Sequence, residues 1–254
     1  PFPARIVWAR RRKMRIKRLI QKALRAAGYD IVYYRPSHHP LARRKWLLDI
    51  YGVSVVLDVG ANTGQFAEKL RETGYHGKIV SFEPLPDAYA VLRAKSVKDG
   101  RDWQAHNYAL GAREERATIH VAGNSYSSSI LPMLSRHERS APESRYVRDV
   151  EIEVKTLDSV FLPVWRANRD VYLKIDTQGF EKRVLDGAAN SLPFIDTIQL
   201  EMSLIPLYEG EMPFEDMYRL IKEKGYRLVA IEPGFADPDS GEMLQVDAIF
   251  HRFA

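Results

Sequence analysis

Residues 53–64 read Val53-Ser-Val-Val-Leu-Asp-Val-Gly-Ala-Asn-Thr-Gly64, and the parsing of that stretch decides the fold. Val53, Val55, Val56, Leu57 and Val59 form a β-branched apolar run holding one acid, the pattern of a strand buried on both faces of a parallel sheet. The run stops at Gly60, Asn62 and Gly64, where the backbone can turn tightly and approach a ligand without an intervening Cβ. Phe66, Ala67 and Leu70, set among Glu68, Lys69 and Arg71, then read as an amphipathic helix. Strand, glycine-rich turn and helix make the opening unit of a nucleotide-type site at the carboxyl edge of a sheet.

Working outward, Lys78–Glu83 reads as the second strand, closed by Pro84. An acid there, about twenty residues beyond the turn, is placed to accept hydrogen bonds from both hydroxyls of a ribose. Asp87–Lys95 reads as a helix, and Trp103–Gly111 as a third strand with its loop, so that Asn107, Tyr108 and Ala109 border an adenine pocket. His106 within that strand reads as packed. Ala117–Ala122 and Val150–Leu157 alternate apolar with polar residues and predict strands that extend the sheet. The loop between them, with Tyr126, Ser127, Ser128 and Ser129, is a candidate lid carrying hydroxyls for a substrate.

Val171–Asp176 is the clearest later strand and runs into a helix with Phe180, Val184, Leu185 and Ala188 inward. Thr197–Met202 follows and carries Glu201, so Asp176 and Glu201 are expected at one crevice. Phe214–Gly225 predicts a helix. Tyr226–Ile231 with Leu244–His251 predicts a closing hairpin, with Asp247 near the active edge.

Asp58-Val-Gly-Ala-Asn-Thr-Gly64 resembles the first motif of class I S-adenosylmethionine-dependent methyltransferases. With Phe82-Glu-Pro84, Asn107-Tyr-Ala-Leu-Gly111, Leu173-Lys-Ile-Asp-Thr-Gln-Gly-Phe-Glu181, Val184-Leu-Asp-Gly-Ala188 and Leu200-Glu-Met-Ser203, the chain resembles the FkbM family over residues 41–252. The resemblance implies an α/β, Rossmann-like, mostly parallel sheet with a C-terminal antiparallel hairpin strand and helices on both faces. It also implies O-methylation of a hydroxyl, on a sugar or similar small molecule, using S-adenosylmethionine. Carried onto this chain, Asp58, Gly60, Ala61, Asn62, Gly64, Phe66, Glu83, Pro84, Asn107, Tyr108, Ala109 and Asp176 are expected at the cofactor. Asp176 is then the first candidate base and Glu201 the second, with Met202 and Asp247 beside the acceptor. Gln178 departs from the acid common in relatives, so no metal site is built on it. A nicotinamide-dependent oxidoreductase would use a similar turn and acid, but its glycine spacing differs and it lacks the closing hairpin.

The 254 residues suffice for one sizeable domain, read as residues 41–254 with an insertion at about 112–157, preceded by a basic segment over residues 1–40. The composition, 45% hydrophobic and 28% charged, is that of a globular protein, and no apolar run reaches the ~18 residues of a membrane span. The absence of cysteine excludes disulfides, thiolate metal sites and thiol nucleophiles, and fits a cytoplasmic setting. The net charge of +5 is local: Arg5–Arg25 holds ten Lys or Arg and no acid, which leaves 5 − 10 = −5 for the remainder. Ile16, Leu19, Ile20, Ala23, Leu24 and Ala27 fall at helical spacing and end at Gly28. Packing on the domain, docking on an anionic membrane and contact with a partner or nucleic acid are the open readings. No base-stacking signature accompanies the charge, so nucleic-acid binding is not assigned.

Overall fold

A computed structural model describes residues 17–161 and 170–253. The chain divides into two compact units, residues 1–46 and 47–254. In the second, Val55–Val59 forms β1, Lys78–Phe82 β2, Trp103–His106 β3, Ala109–Leu110 β4, Glu115–Ala122 β5, Tyr146–Lys155 β6, Val171–Ile175 β7, Thr197–Ser203 β8, Arg227–Pro233 β9 and Gln245–His251 β10. The main sheet has seven strands in the order β3-β2-β1-β7-β8-β10-β9. Pairing is parallel from β3 to β8, and β10 runs antiparallel to both β8 and β9.

Strand alternation explains why this sheet is buried on both sides. Val55, Leu57 and Val59 join one core with Leu173, Ile175, Ile198 and Leu200. Val56, Ile79 and Tyr172 join a second core on the opposite face with Leu70, Leu92 and Trp103. Successive side chains of a strand point to opposite faces, so a run without polar alternation supplies both cores. Helices Gln65–Glu72 and Pro86–Asp99 cover the second core, and Glu181–Asp186 and Phe214–Glu223 contribute Val184, Leu185, Met217 and Ile221 to the first.

Two elements differ from the sequence reading. The third strand itself ends at His106, where Asn107 opens the expected loop and turns its side-chain amide back onto the Glu83 and Pro84 carbonyls at 2.9 Å. Residues Ala109–Leu110 then pair with β6, so β4, β5 and β6 form a separate three-stranded sheet and not an extension of the first. A small core of its own, including Ile119, Val121, Ile152 and Val154, holds that sheet together. The helix after Asp176 starts only at Glu181, because Gln178 and Gly179 both take left-handed backbone angles.

In the first unit, residues 17–26 are helical and Gly28, at φ +82°, ends the helix. Residues 1–16, with six of the predicted basic side chains, and residues 162–169 lie outside the described residues. Of the predicted apolar stripe, Leu19 and Ile20 are exposed and Leu24 is half-buried, while Ile16 lies outside the described residues. A second helix, Pro40–Ile50, leads into the domain. Among the described residues no helix is long and apolar enough to cross a membrane.

Candidate active site

The site is built where β1, β2, β7 and β8 end side by side. After β1 the chain hooks over its neighbour, with the Gly60 and Ala61 N–H groups donating to the Phe82 carbonyl at 3.1 and 3.0 Å. Gly60 has φ +74°, and a Cβ there would fall 1.8 Å from the Asp176 carbonyl oxygen. No residue with a side chain fits, because the end of β7 is already in contact with the turn. Asn62 also sits in the left-handed region at φ 47°, with its side-chain oxygen accepting the Thr63 N–H at 2.7 Å.

Glu83 is 5% exposed, and each of its carboxylate oxygens has one backbone donor: Asn62 N–H to Oε2 and Leu85 N–H to Oε1, both at 2.8 Å. Burial pushes its pKa up to about 7 against the pull of these two donors. The carboxylate is thereby fixed in direction before any ligand arrives.

Beneath the turn, Asp58 on β1 and Lys174 on β7 are register partners. The Lys174 ammonium donates to the Gly60 carbonyl at 3.0 Å and lies 3.2 Å from Asp58 and 3.3 Å from Asp176. An ammonium has three N–H bonds, and here it has three oxygens. Burial pulls the Lys174 pKa down, but Asp176 and Asp58 more than offset it and the group stands above its ordinary value. Burial raises Asp58, against the attraction of Lys174. Asp58 is fully buried, bonded also by the Ser81 hydroxyl, and serves as counter-charge to Lys174.

At the far end, the Gln178 amide bridges the two acids. Its Nε2 donates to Asp176 Oδ1 at 3.0 Å and to Glu201 Oε2, while its Oε1 accepts the Tyr208 hydroxyl at 2.7 Å. Carboxylates only accept, so the amide nitrogen must face them. Gln178 is held at φ 55° by the Ser129 hydroxyl, which donates to its carbonyl at 2.7 Å. Gln245 also donates to Glu201 at 3.1 Å. Burial, then Asp176, Asp247 and Glu181, push Glu201 well above the carboxylate range, and Lys174 opposes them. Glu181 in turn accepts the Thr177 N–H at 2.8 Å and the Gly179 N–H at 3.3 Å, fixing the loop that carries Asp176 and Gln178. Burial raises Glu181 to about 7.

One cavity, open to solvent, joins these groups. Of the residues singled out from sequence, Gly60, Asn62, Glu83, Pro84, Ala109, Tyr126, Ser128, Ser129, Asp176 and Glu201 line it. The others stand outside the lining. Ala61 is buried, and Gly64 faces Leu92 and Trp103 because its helix leans on them. Phe66 packs on the second core with the Lys174 ammonium 5.5 Å from its ring. Asn107 holds backbone carbonyls, and Tyr108 packs beside Phe82 and His106. Ser127 is buried, Met202 belongs to the first core, and Asp247 accepts the Gln199 amide at 2.9 Å. His106 stacks on Phe82. Sequence reasoning assigned no role to Lys174, Glu181 or Tyr208; for Lys174 the signal was the two-residue period that puts it on the face of Asp176. Among the described residues no cluster of His, Asp or Glu stands ready for a metal ion.

A parallel sheet with an antiparallel strand slotted next to its edge, and an acid-lined pocket over its central strand ends, is the arrangement expected of a class I methyltransferase. The family described as Methyltransferase FkbM domain matches residues 58–228, more than half of the chain, and the chain belongs to that family. The nicotinamide alternative falls with it. Methyltransferase 1 of Beauveria bassiana is 24% identical over 197 residues, covering 73% of this chain and 77% of that protein. The 2-O-methyltransferase NoeI of Sinorhizobium fredii is 25% identical over 191 residues, with coverage of 73% and 77%. The crystal structure of Methyltransferase FkbM from Methylobacillus flagellatus is similar at a TM-score of 0.47 and 13% identity, over 77% of this chain; the alignment spans 43% of that longer chain.

Proposed function

We propose that the protein transfers a methyl group from S-adenosylmethionine to a hydroxyl of a sugar, glycoconjugate or similar small molecule. The observation that carries this reading is that one cavity is lined at one end by Glu83 and at the other by Asp176, Gln178 and Glu201. The residues present fit the cofactor. Each Glu83 oxygen has a single backbone donor, which leaves a lone pair on each for the two hydroxyls of a ribose. Leu85, Ala109, Leu110, Ile119 and Phe180 give the cavity an apolar wall for a base. Asp176 and the Gly60 turn stand where a sulfonium would be attracted.

S-adenosylmethionine supplies, when bound, a methyl carbon open to in-line attack. The chain itself has to orient the acceptor oxygen and accept its proton, because a sugar hydroxyl is a poor nucleophile. Asp176 has one oxygen on Lys174 and the other on Gln178, so its direction is fixed toward the cavity. Glu201 is the second proton acceptor, and its raised pKa makes it the stronger base once ionised. Tyr126, Ser128 and Ser129 line the same cavity; the two serine hydroxyls already donate to the Ser125 and Gln178 carbonyls, so the Tyr126 hydroxyl is the one left to donate to a polyhydroxyl acceptor. The printed name of NoeI, a 2-O-methyltransferase, supports transfer to oxygen.

The test is transfer of labelled methyl from S-adenosylmethionine across a panel of sugars, glycolipids and cell extract. Asp176→Ala should lower transfer by about 10²–10⁴-fold while calorimetric binding of S-adenosylhomocysteine persists. Full activity in that variant would remove Asp176 as base, and absence of S-adenosylhomocysteine binding in the wild type would remove the cofactor.

A further inference from the structure

Among the described residues, seven of the seventeen exposed large apolar side chains fall between positions 19 and 34: Leu19, Ile20, Tyr29, Ile31, Val32, Tyr33 and Tyr34. Such a concentration is a patch and not scattered surface. It has a built structure. The segment after Gly28 turns back along the helix of residues 17–26, tied to it by the Tyr29 N–H to the Leu24 carbonyl at 2.8 Å. The Gln21 amide donates to Asp30 at 3.1 Å and Arg25 pairs with Asp30 at 2.9 Å. Lys17 and Arg35 sit at 6.0 and 5.5 Å from the Tyr33 ring. Aliphatic side chains, a run of tyrosines and a set of cations are thus presented on two adjoining segments.

The charge on these segments is one-sided. Lys17, Arg18, Lys22, Arg25 and Arg35 face a single acid in residues 17–35, Asp30, which Arg25 already neutralises. In sequence the cations continue upstream through Arg15, Lys13, Arg12, Arg11, Arg10 and Arg5. A second copy of this surface would meet like charge and gain nothing by pairing. A nucleic acid would satisfy the cations but leave Leu19, Ile20, Ile31 and Val32 in water. An anionic bilayer satisfies both, since it takes apolar side chains below the headgroups, tyrosines at their level and Lys or Arg against the lipid phosphates.

We propose that residues 17–35 dock the protein on an anionic membrane surface. The experiment is sedimentation of the full chain with vesicles of phosphatidylcholine alone and with about a third of phosphatidylglycerol, at low and high salt. Binding should be at least tenfold stronger (~1.4 kcal/mol) on the anionic vesicles and weaken with salt. The variant Leu19→Ser, Ile20→Ser, Tyr33→Ser, Tyr34→Ser and the variant Lys17→Glu, Arg18→Glu, Lys22→Glu should each lose that binding about tenfold (~1.4 kcal/mol) with unchanged melting midpoints, since every altered side chain is exposed. No binding, equal binding to neutral vesicles, or binding that survives the serine variant would overturn the proposal. So would a dimer in sedimentation velocity that the serine variant abolishes while vesicles remain unbound.

Discussion

The two ends of the cavity are built in opposite ways. At the Glu83 end the acid is held by backbone N–H groups, one from the turn after β1 and one from two residues downstream. At the Gln178 end the acids are held by side chains from segments far apart in sequence: Asp176 and Gln178, Glu201, Tyr208, Ser129 and Gln245. A backbone donor survives any substitution except proline, whereas a side-chain network fails when one member changes. The first end therefore tolerates changes in the side chains around it, and the second does not.

The severest way to break the contrast is to strike where the two ends touch. Gly60→Ala would drive a methyl into the Asp176 carbonyl at a left-handed position, and should cost about 3 kcal/mol or more. Chemical unfolding would register it as a lower midpoint, with cofactor-end binding and transfer lost together. An alanine variant of wild-type stability would show that the turn and β7 are not in contact.

Glu83 and Glu181, both buried acids held by backbone N–H groups, offer a comparison by pH. Both have folded pKa values raised from 4.5 to about 7. A raised folded value means the native state holds the proton more tightly, so the stability each lends is complete below about pH 4.5 and is lost as pH rises through about 7. The loss is roughly 3 kcal/mol apiece. Glu83→Gln, measured by thermal unfolding without ligand from acid to mildly alkaline pH, should remove about half of the combined slope, and an unchanged slope would clear Glu83 of the cost.

A gentler probe sharpens the contrast by leaving shape alone. Gln178→Glu replaces the bridging amide by a third acid between Asp176 and Glu201, so a proton must take the place of the lost donor. Transfer should fall about tenfold near neutral pH and its acid limb should move upward. Affinity for S-adenosylhomocysteine should change little, and an unmoved pH profile would mean that the amide does not tune the pair.

This asymmetry also governs what could be read from sequence. The turn and Glu83 were legible because strand, glycines and acid lie within thirty or so residues and each obeys a local backbone rule. The sheet and its antiparallel strand were legible from apolar runs and turn residues. Membership of the motif did not tell which way a side chain points: Gly64, Asn107 and Tyr108 sit beside the pocket in sequence but turn to packing and backbone support. Lys174 followed from alternation once register with Asp58 was known, and register is not local. Tyr208 carries no pattern at all, since a fully buried tyrosine in a loop acquires its role only when Gln178 and the Ser127 carbonyl are brought to its hydroxyl.

The ion pair beneath the turn has a consequence for how the chain comes into being. Asp58 leaves the ribosome long before Lys174, its buried counter-ion, has been synthesised. The nascent amino-terminal half therefore cannot close its first strand around an ionised carboxylate and must keep that strand wet or protonated until β7 arrives. Splitting the gene between β6 and β7 should accordingly give fragments that are molten when alone and recover order only when mixed.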